Sequence, residues 1–341
     1  MFIDGKEISH NSLPFVIAEI GHNHQGDLNT CLKMIKEAAD AGASAVKLQK
    51  RSNKSLFTPD AYNAPYTSDN AFGATYGEHR EYLEFNESQY RQCIDYSKKL
   101  GITFFATAFD IESANFLQNL DVPAFKIASG DLKSTPLIEH ISTFGKPIIL
   151  STGGGTLSDI DNAVEILNKS KCEYAILQCT AAYPPSFEEL NLRVIEEYIK
   201  RYNDAIIGYS GHDSGISMSL VAYILGARII EKHFTLNRAM KGTDHAFSLE
   251  PQGMRKLVRD LTRAKAALGD GIKRVYESEI NPLKKMGKSL YVNRNMSSGE
   301  SLQSSDLEMR SPAIGLDPSH LNRVIGRKIS RDLSIFDPIT N

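Results

Sequence analysis

Short runs of apolar, often β-branched residues alternate along most of the chain with longer segments in which apolar residues recur every three or four positions. The short runs predict eight strands, at residues 15–20, 45–50, 103–107, 124–129, 147–152, 174–180, 206–210 and 228–233. The longer segments have the period of a helix that buries one face. They predict helices that include 28–41, 87–100, 112–120, 158–170, 188–202, 216–225 and 251–268.

Repeated strand-then-helix units predict an α/β fold with a parallel sheet. Eight such strands are the number that closes a TIM (β/α)8 barrel. An open, doubly wound sheet is the alternative. We favour the barrel because no unit carries the G-x-G-x-x-G turn that is typical of open dinucleotide-binding sheets.

Two segments depart from this repeat. Residues 51–85 form a long insertion after the second strand, rich in Tyr and Pro. We expect a lid or binding loop there, the alternative being a decorated surface loop. Beyond about residue 270 the pattern changes to short strand-like pieces, at 289–293 and 325–329. We therefore expect a barrel domain at 1–273, a linker at 274–281 and a small, mostly β domain at 282–341.

The charge balance and the cysteines bear on the partners and the compartment. Lys plus Arg is 39 and Asp plus Glu is 41, so the chain lacks the basic excess of a nucleic-acid or anionic-membrane binder. No apolar run approaches the ~20 residues that span a bilayer, and the first residues show no signal-peptide pattern. The four cysteines have no C-x-x-C spacing. We expect a cytoplasmic protein that binds neither nucleic acid nor membrane.

Two lysines, Lys47 and Lys126, lie inside apolar strand runs. A buried, unpaired ammonium costs several kcal/mol, so each needs a carboxylate partner or an anionic ligand. One interpretation is a structural ion pair with Glu19 or Glu231. The other is a phosphate or carboxylate ligand, which hydroxyl groups at the ends of other strands favour. These hydroxyl groups belong to Thr107, Ser129, Ser151 and Ser210.

Two histidines, His212 and His233, end consecutive strands. Neighbouring strands lie ~5 Å apart, so both imidazoles are able to reach one divalent ion. Water or substrate would complete such a site, as in catalytic metal centres. His24, Asp244 and His245 are further candidates. The alternative is that these histidines are packed or surface residues.

An ordered set of motifs resembles the phosphoenolpyruvate-dependent sialic acid synthases (N-acetylneuraminate synthases). The segments are IAEIGHNHQG at 17–26, AVKLQ at 45–49, FKIASGD at 125–131, ILSTG at 149–153, QCTAAYP at 178–184, GYSGH at 208–212 and EKHFT at 231–235. The tail, including Arg310 and residues 326–328, resembles the antifreeze-protein-like (SAF) domain of that family. The resemblance therefore covers nearly the whole chain.

The resemblance implies an activity as well as a TIM barrel. A member of this family condenses phosphoenolpyruvate (PEP) with an N-acyl-mannosamine-type sugar, using Mn²⁺ or Mg²⁺. The products are a sialic acid, or its 9-phosphate, and phosphate released by C–O cleavage. The family also implies a domain-swapped homodimer, in which each antifreeze-like domain caps the barrel of the other subunit.

The resemblance carries site residues onto matching positions. It implies that Lys47, Thr107, Lys126, Ser129, Ser151 and Ser210 bind PEP. It implies that His212 and His233 bind the metal, and that Gln25, Tyr183, Asp244 and Arg310 bind the sugar, Arg310 coming from the neighbouring subunit. Asp131, Gln25 and Lys126 are the candidate catalytic residues, with Asp131 steering or deprotonating a water.

The motifs leave the sugar open. Gln25 and Asp131 resemble the animal-type members that make a 9-phosphate, whereas Arg310 resembles bacterial members. N-acetylmannosamine, its 6-phosphate and a diacetamido-trideoxy (legionaminic-type) precursor all remain candidates. Arg51, Lys54 and Arg80 in the insertion either hold a sugar phosphate or are solvated surface charges.

Two other functions also remain open. A lysine aldolase would use Lys47 or Lys126 to form a Schiff base with pyruvate. A non-catalytic sugar- or ice-binding protein would depend on the tail, although the charges of Arg323, Arg327 and Lys328 oppose a flat ice-binding face.

Overall fold

The computed structural model describes residues 1–340. The chain divides into two compact units, Met1–Leu268 and Gly269–Asn341. In the first unit eight parallel strands close into a barrel, in which each strand pairs with the next and the last pairs with the first. The prediction of a TIM-type barrel is therefore confirmed. Its strands are Phe15–Gly21, Ala45–Lys50, Thr103–Ala108, Phe125–Ile127, Ile148–Ser151, Tyr174–Cys179, Ile206–Gly211 and Ile229–His233.

Helices connect the strands. They are Leu28–Asp40, Glu87–Leu100, Ile111–Asn119, Thr135–Ser142, Leu157–Ser170, Val194–Arg201, Ser217–Ile224 and Pro251–Leu268. The helix Thr135–Ser142 did not emerge from the pattern, because it has only 8 residues and a Pro in its first turn. The predicted helix at 188–202 is shorter than expected, since Phe187–Leu190 forms a separate 3-10 turn.

The strand register brings polar side chains together at one end of the barrel. His233 pairs with Glu19, Glu19 pairs with Lys47, and Thr107 pairs with Lys126. Successive side chains on a strand point to opposite faces. Lys232 therefore points away from its neighbours, and its ammonium lies 3.0 Å from the carboxylate of Asp213. Lys232 therefore lies outside the barrel lumen, where the carboxylate of Asp213 neutralises its buried charge.

The insertion after the second strand is folded. It contains the short helices Asn53–Leu56, Pro59–Asn63 and Tyr76–Leu83. Aromatic rings hold it together, and the rings of Phe72 and Tyr82 stack 5.1 Å apart. Gly26 has φ +73°, and a Cβ there would lie 2.4 Å from the Tyr82 carbonyl oxygen. A glycine is therefore needed for the insertion to pass close to the loop after the first strand.

The second unit has its own small core. It contains the helix Glu277–Met286 and an antiparallel pair of strands, Ser289–Val292 and Leu307–Arg310. The expected linker at 274–281 thus overlaps the start of a helix. Residues 325–329 form no strand, and Lys328 makes only an isolated bridge with Ser301. In the described part of the chain, no helix has both the length and the apolar character to cross a membrane.

Candidate active site

A cavity of about 420 Å³ opens at the carboxyl ends of the barrel strands, the end at which TIM-barrel enzymes place their chemistry. Ten of the residues predicted from the sequence to bind PEP, the sugar or the metal line it. They are Lys47, Thr107, Lys126, Ser129, Ser151, Tyr183, Ser210, His212, His233 and Asp244. Because Glu19 of the first strand lines it too, side chains from all eight strands or the loops that follow them share one space.

Two lysines and two glutamates form the charged part of the cavity wall. Lys47 Nζ lies 2.6 Å from Glu19 Oε2 and donates a hydrogen bond to Thr107 Oγ1 at 2.6 Å. Glu231 Oε1 lies 3.8 Å from the ammonium of Lys47 and 3.9 Å from that of Lys126. The ion pair with Glu19 considered from the sequence is thus present, and both ammoniums also face the cavity.

Burial shifts the pKa values of this group. It raises the pKa of Glu19 to about 7, although the adjacent Lys47 opposes the shift. Burial would also raise the pKa of Glu231, but Lys126 and Lys47 hold it below its ordinary value. Burial lowers the pKa of Lys126. The raised pKa of Glu19 makes this carboxylate easier to protonate, which lessens the negative charge beside the two ammoniums and favours an anionic ligand.

Three of the four hydroxyl groups around these lysines are free to donate hydrogen bonds, whereas Ser210 Oγ already donates to Glu231 Oε1 at 3.3 Å. Thr107 accepts from Lys47, and Ser151 Oγ accepts from Lys126 Nζ at 2.6 Å. A hydroxyl that accepts from an ammonium still has its own hydrogen to donate. Ser129 Oγ accepts from the Gly153 N–H at 2.9 Å, so its hydroxyl hydrogen is likewise free to donate. Ammoniums and hydroxyl donors are the groups that bind phosphate and carboxylate oxygens.

The two strand-end histidines lie next to each other, with ring centroids 5.3 Å apart. His212 Nδ1 lies 3.1 Å from the Thr180 carbonyl oxygen, to which it donates, so Nε2 is left unprotonated. Burial and the neighbouring His233 lower the pKa of His212 to about 3. Burial also lowers the pKa of His233. Both rings are therefore neutral, which is the form that binds a divalent ion.

A second observation fits a metal ion at this position. Within residues 1–340, the buried Nδ1 of His233 has no hydrogen-bond partner, and the nearest carboxylate oxygen, Asp244 Oδ2, is 3.8 Å away. No group of three or more His, Cys, Asp or Glu side chains in the described residues is arranged to hold a metal. Two imidazoles would thus leave coordination positions for water or substrate, as a catalytic ion requires.

Aromatic rings cover the histidines. The Tyr183 ring lies 4.2 Å from that of His212, and the Phe247 ring lies 5.0 Å from that of His233. Such rings exclude water from one side of the imidazoles, which strengthens electrostatic interactions there. Burial would raise the pKa of Asp244, but His233 and the Thr243 hydroxyl lower it, so its carboxylate stays ionised.

Three predicted site residues do not line the cavity. Gln25 lies beside it, since its amide donates to the Lys241 carbonyl oxygen at 2.6 Å. Asp131 ends the 3-10 turn Ser129–Asp131, and burial raises its pKa. Arg310 belongs to the second unit, where it pairs with Glu308 and its guanidinium lies 4.3 Å from the Phe336 ring.

The other candidate metal ligands have packing roles. His24 stacks on Phe85 with ring centroids 4.1 Å apart. His245 Nδ1 lies 2.7 Å from Thr235 Oγ1. Neither residue lines the cavity.

The insertion also contributes residues to the cavity wall. The sequence analysis either did not identify these residues or left their role open. Arg51 and Arg80 face the cavity, together with Phe72 and His79 of the insertion and His22 of the first-strand loop. Lys54, which the sequence grouped with these arginines, is exposed and does not line it. His22 belongs to the polar motif at 17–26, and that motif is the sequence signal that could have identified it as a site residue.

Comparison with known proteins settles the family. Residues 34–273 match the NeuB family, which is more than half of the chain. The chain belongs to the NeuB family. The resemblance to sialic acid synthases noted from its motifs is thereby confirmed.

Characterised proteins similar to this NeuB-family chain are synthases. N-acetylneuraminate-9-phosphate synthase of Homo sapiens is 39% identical over 316 residues, which cover 92% of this chain and 88% of that protein. N,N'-diacetyllegionaminic acid synthase of Campylobacter jejuni is 37% identical over 316 residues, covering 92% and 94%. The two relatives differ in the sugar acid they are named for, so similarity alone leaves the sugar open.

A solved structure has the same fold. The N-acetylneuraminic acid synthetase of Leptospira borgpetersenii, in complex with citrate, is 35% identical and superposes with a TM-score of 0.73. The match covers 83% of this chain and 94% of that chain. The barrel of this NeuB-family chain therefore has the same fold as that synthetase.

Proposed function

We propose that this protein condenses PEP with an N-acyl-mannosamine-type sugar to give a sialic acid, or its 9-phosphate, and phosphate. The observation that carries the proposal is the grouping of Lys47 and Lys126 with the neutral imidazoles of His212 and His233 in one cavity. Ammoniums suit an anionic donor, and imidazoles suit a divalent ion that binds an oxygen-rich acceptor. Membership of the NeuB family supports the same activity.

In this proposal the lysines bind the two anionic groups of PEP. Lys47 and Lys126 neutralise the phosphate and the carboxylate, and the nearby hydroxyl groups orient them. These hydroxyl groups are those of Thr107, Ser129, Ser151 and Ser210. The raised pKa of Glu19, which weakens the negative charge opposite the ammoniums, supports this assignment.

His212 and His233 would hold Mn²⁺ or Mg²⁺. When bound, the ion supplies Lewis-acid chemistry that polarises the aldehyde of the open-chain sugar. The protein holds both rings neutral by burial and fixes His212 through the Thr180 carbonyl. Tyr183 and Asp244 lie beside the two rings and are proposed to bind the sugar.

The bond changes balance with one water. Carbon 3 of PEP attacks the aldehyde carbon, which forms the C–C bond and leaves positive charge at carbon 2. Water adds to carbon 2, and one of its protons goes to the alkoxide that the aldehyde oxygen has become. The tetrahedral species then expels phosphate by cleavage of its C–O bond, while the new hydroxyl group gives its proton to the phosphate and becomes the ketone. Asp131 does not line the cavity, so it is proposed to orient or deprotonate that water through a second water, and its raised pKa suits a group that exchanges a proton. Gln25, adjacent to the cavity, would orient the sugar.

The remaining expectations concern assembly and location. We propose a barrel domain at 1–273, a linker at 274–281 and an antifreeze-like (SAF) domain at 282–341, which exchanges between the subunits of a homodimer. Arg310 would then reach the sugar of the neighbouring subunit. Exposed apolar side chains in the second unit, such as Ile272, Val275 and Ile280, support burial against a partner. We propose a cytoplasmic location, which the four free cysteines fit.

An assay separates this function from a Schiff-base aldolase, which the lowered pKa of the Lys126 ammonium makes chemically reasonable. The protein is incubated with Mn²⁺, PEP and, in turn, N-acetylmannosamine, its 6-phosphate and the diacetamido-trideoxy analogue. We expect phosphate release that depends on one of these sugars. We also expect no covalent label when borohydride is added with pyruvate. A borohydride-trapped lysine with no sugar-dependent phosphate release would establish the aldolase instead.

A further inference from the structure

Two arginines face the cavity without a carboxylate partner. Arg51 directly follows the second barrel strand, and Arg80 lies on the insertion helix Tyr76–Leu83. No carboxylate oxygen of residues 1–340 lies within 4.0 Å of either guanidinium. The neighbouring carboxylate of Glu84 is paired with Lys50 at 2.9 Å instead, and its other oxygen lies 3.5 Å from His22 Nε2. Buried guanidiniums are normally paired, so this arrangement calls for an external anion.

His22 lies between the two guanidiniums. Arg51 Nη1 is 3.4 Å from His22 Nε2, and Arg80 Nη1 is 3.4 Å from His22 Nδ1. Burial, together with Arg51 and Arg80, lowers the pKa of His22 well below its ordinary value, so the ring is neutral. A neutral imidazole has only one acceptor nitrogen. At most one of these two contacts is therefore a true hydrogen bond.

Most N–H groups of Arg51 thus lack a protein acceptor. Within the described residues, His22 is the only hydrogen-bond partner of its guanidinium, which otherwise lies over the Phe109 ring at 3.6 Å. The side chain is nine-tenths buried, and burial and the nearby Arg80 lower its pKa to about 10. The guanidinium of Arg80 has more hydrogen-bond acceptors, since its Nε and Nη2 both donate to the Tyr76 hydroxyl. Both cations would be stabilised by an anion between them.

The subsite is separate from the lysines of the cavity wall. Arg51 lies four residues beyond Lys47 along the same strand direction, and a strand rises ~3.3 Å per residue, so their Cα atoms are ~13 Å apart. This separation leaves room for an anionic group at the arginines in addition to one at the lysines. An open-chain hexose carries its aldehyde and its carbon 6 at opposite ends, so a sugar whose aldehyde lies beside the histidines holds a phosphate on carbon 6 away from them.

We propose that Arg51, Arg80 and His22 form a subsite for the phosphate group of a 6-phosphorylated amino sugar. The planar fork of a guanidinium matches phosphate oxygens, and two forks bind them with a defined orientation. Asp244 also lines this side of the cavity and would repel the phosphate if the two were in contact. Its carboxylate instead suits the hydroxyl groups in the middle of the sugar. The inference rests on the proposed function and selects the phosphorylated sugar as its substrate.

The test compares N-acetylmannosamine 6-phosphate with N-acetylmannosamine. For the wild-type protein we expect kcat/KM to favour the phosphorylated sugar, and Arg80→Gln should reduce that preference by roughly 10- to 100-fold. The loss should appear in the KM of the sugar phosphate, with the KM of PEP unchanged. Arg80→Lys should be intermediate, because it keeps the charge but loses the fork. Lys54→Gln removes a positive charge from the same insertion at an exposed position and should change nothing.

Three results would overturn the subsite. They are an equal loss with both sugars in Arg80→Gln, a raised KM for PEP in that variant, and a wild-type protein without preference for the phosphorylated sugar. Calorimetric titration with the sugar phosphate, in the absence of PEP, separates the two proposals. If no sugar supports phosphate release but the sugar phosphate binds the wild type and not Arg80→Gln, the subsite stands and the condensation does not.

Discussion

Lys126→Met is expected to lower kcat/KM for PEP by at least ~1000-fold, or ~4 kcal/mol. The ammonium donates to Ser151 at 2.6 Å and lies 3.9 Å from Glu231. Its removal takes away one of two cations that face the anionic donor, and it also leaves Glu231 with a single cationic neighbour. Methionine has nearly the same length, so the change removes charge rather than volume. Steady-state kinetics of phosphate release measure the effect.

Lys133→Met is the matched control for this variant. Lys133 lies seven residues further along the chain, is 64% exposed and pairs with Asp159 at 3.3 Å. Because an exposed ion pair contributes little, we expect its kcat/KM to stay within about twofold of the wild type. Lys126→Met should keep the circular dichroism spectrum of the wild type. A folded Lys126→Met protein that retains kcat/KM within tenfold of the wild type would contradict the role assigned to this ammonium.

His233→Gln is expected to abolish tight Mn²⁺ binding and to lower kcat by ~1000-fold or more. The Nδ1 of His233 is buried with no hydrogen-bond partner in the described residues, so a ligand is the simplest explanation for its orientation. Glutamine keeps a polar side chain of similar size but binds divalent ions more weakly. Mn²⁺ binding is measured by electron paramagnetic resonance of the free ion, and activity by phosphate release.

The control for the metal prediction is His10→Gln. His10 is exposed and remote in sequence from both strand-end histidines, so Mn²⁺ binding and kcat should not change. A chelator should abolish wild-type activity, and added Mn²⁺ should restore it. If the His233→Gln protein binds Mn²⁺ as the wild type does, the ion is not held at His212 and His233.

The barrel was predictable because its strands are buried on both faces. The segments 15–20 and 174–180 are nearly continuous apolar runs, and the structure has strands at Phe15–Gly21 and Tyr174–Cys179. Periodicity failed where elements are short. The helix Thr135–Ser142 has just over two turns, and the helices of the insertion are shorter or lack an apolar stripe.

The candidate site was predictable where topology alone brings residues together. Lys47, Lys126 and His233 lie at carboxyl ends of strands, and in a closed parallel barrel these ends face one opening. The positions of Arg51 and Arg80 were not predictable in this way, because residues 51–85 have no repeating period that fixes the direction of a side chain. Whether such arginines face solvent or the cavity depends on the packing of Phe72 against Tyr82 and on the passage beside Gly26.

The most direct measurement of the central claim uses water enriched in heavy oxygen. The protein, Mn²⁺, PEP and the preferred sugar are incubated in this water, and the sugar acid and the phosphate are analysed by mass spectrometry. If water adds to carbon 2 of PEP and phosphate leaves by C–O cleavage, one labelled oxygen enters the sugar acid and the phosphate stays unlabelled. Label in the released phosphate would mean P–O cleavage and would contradict the proposed condensation.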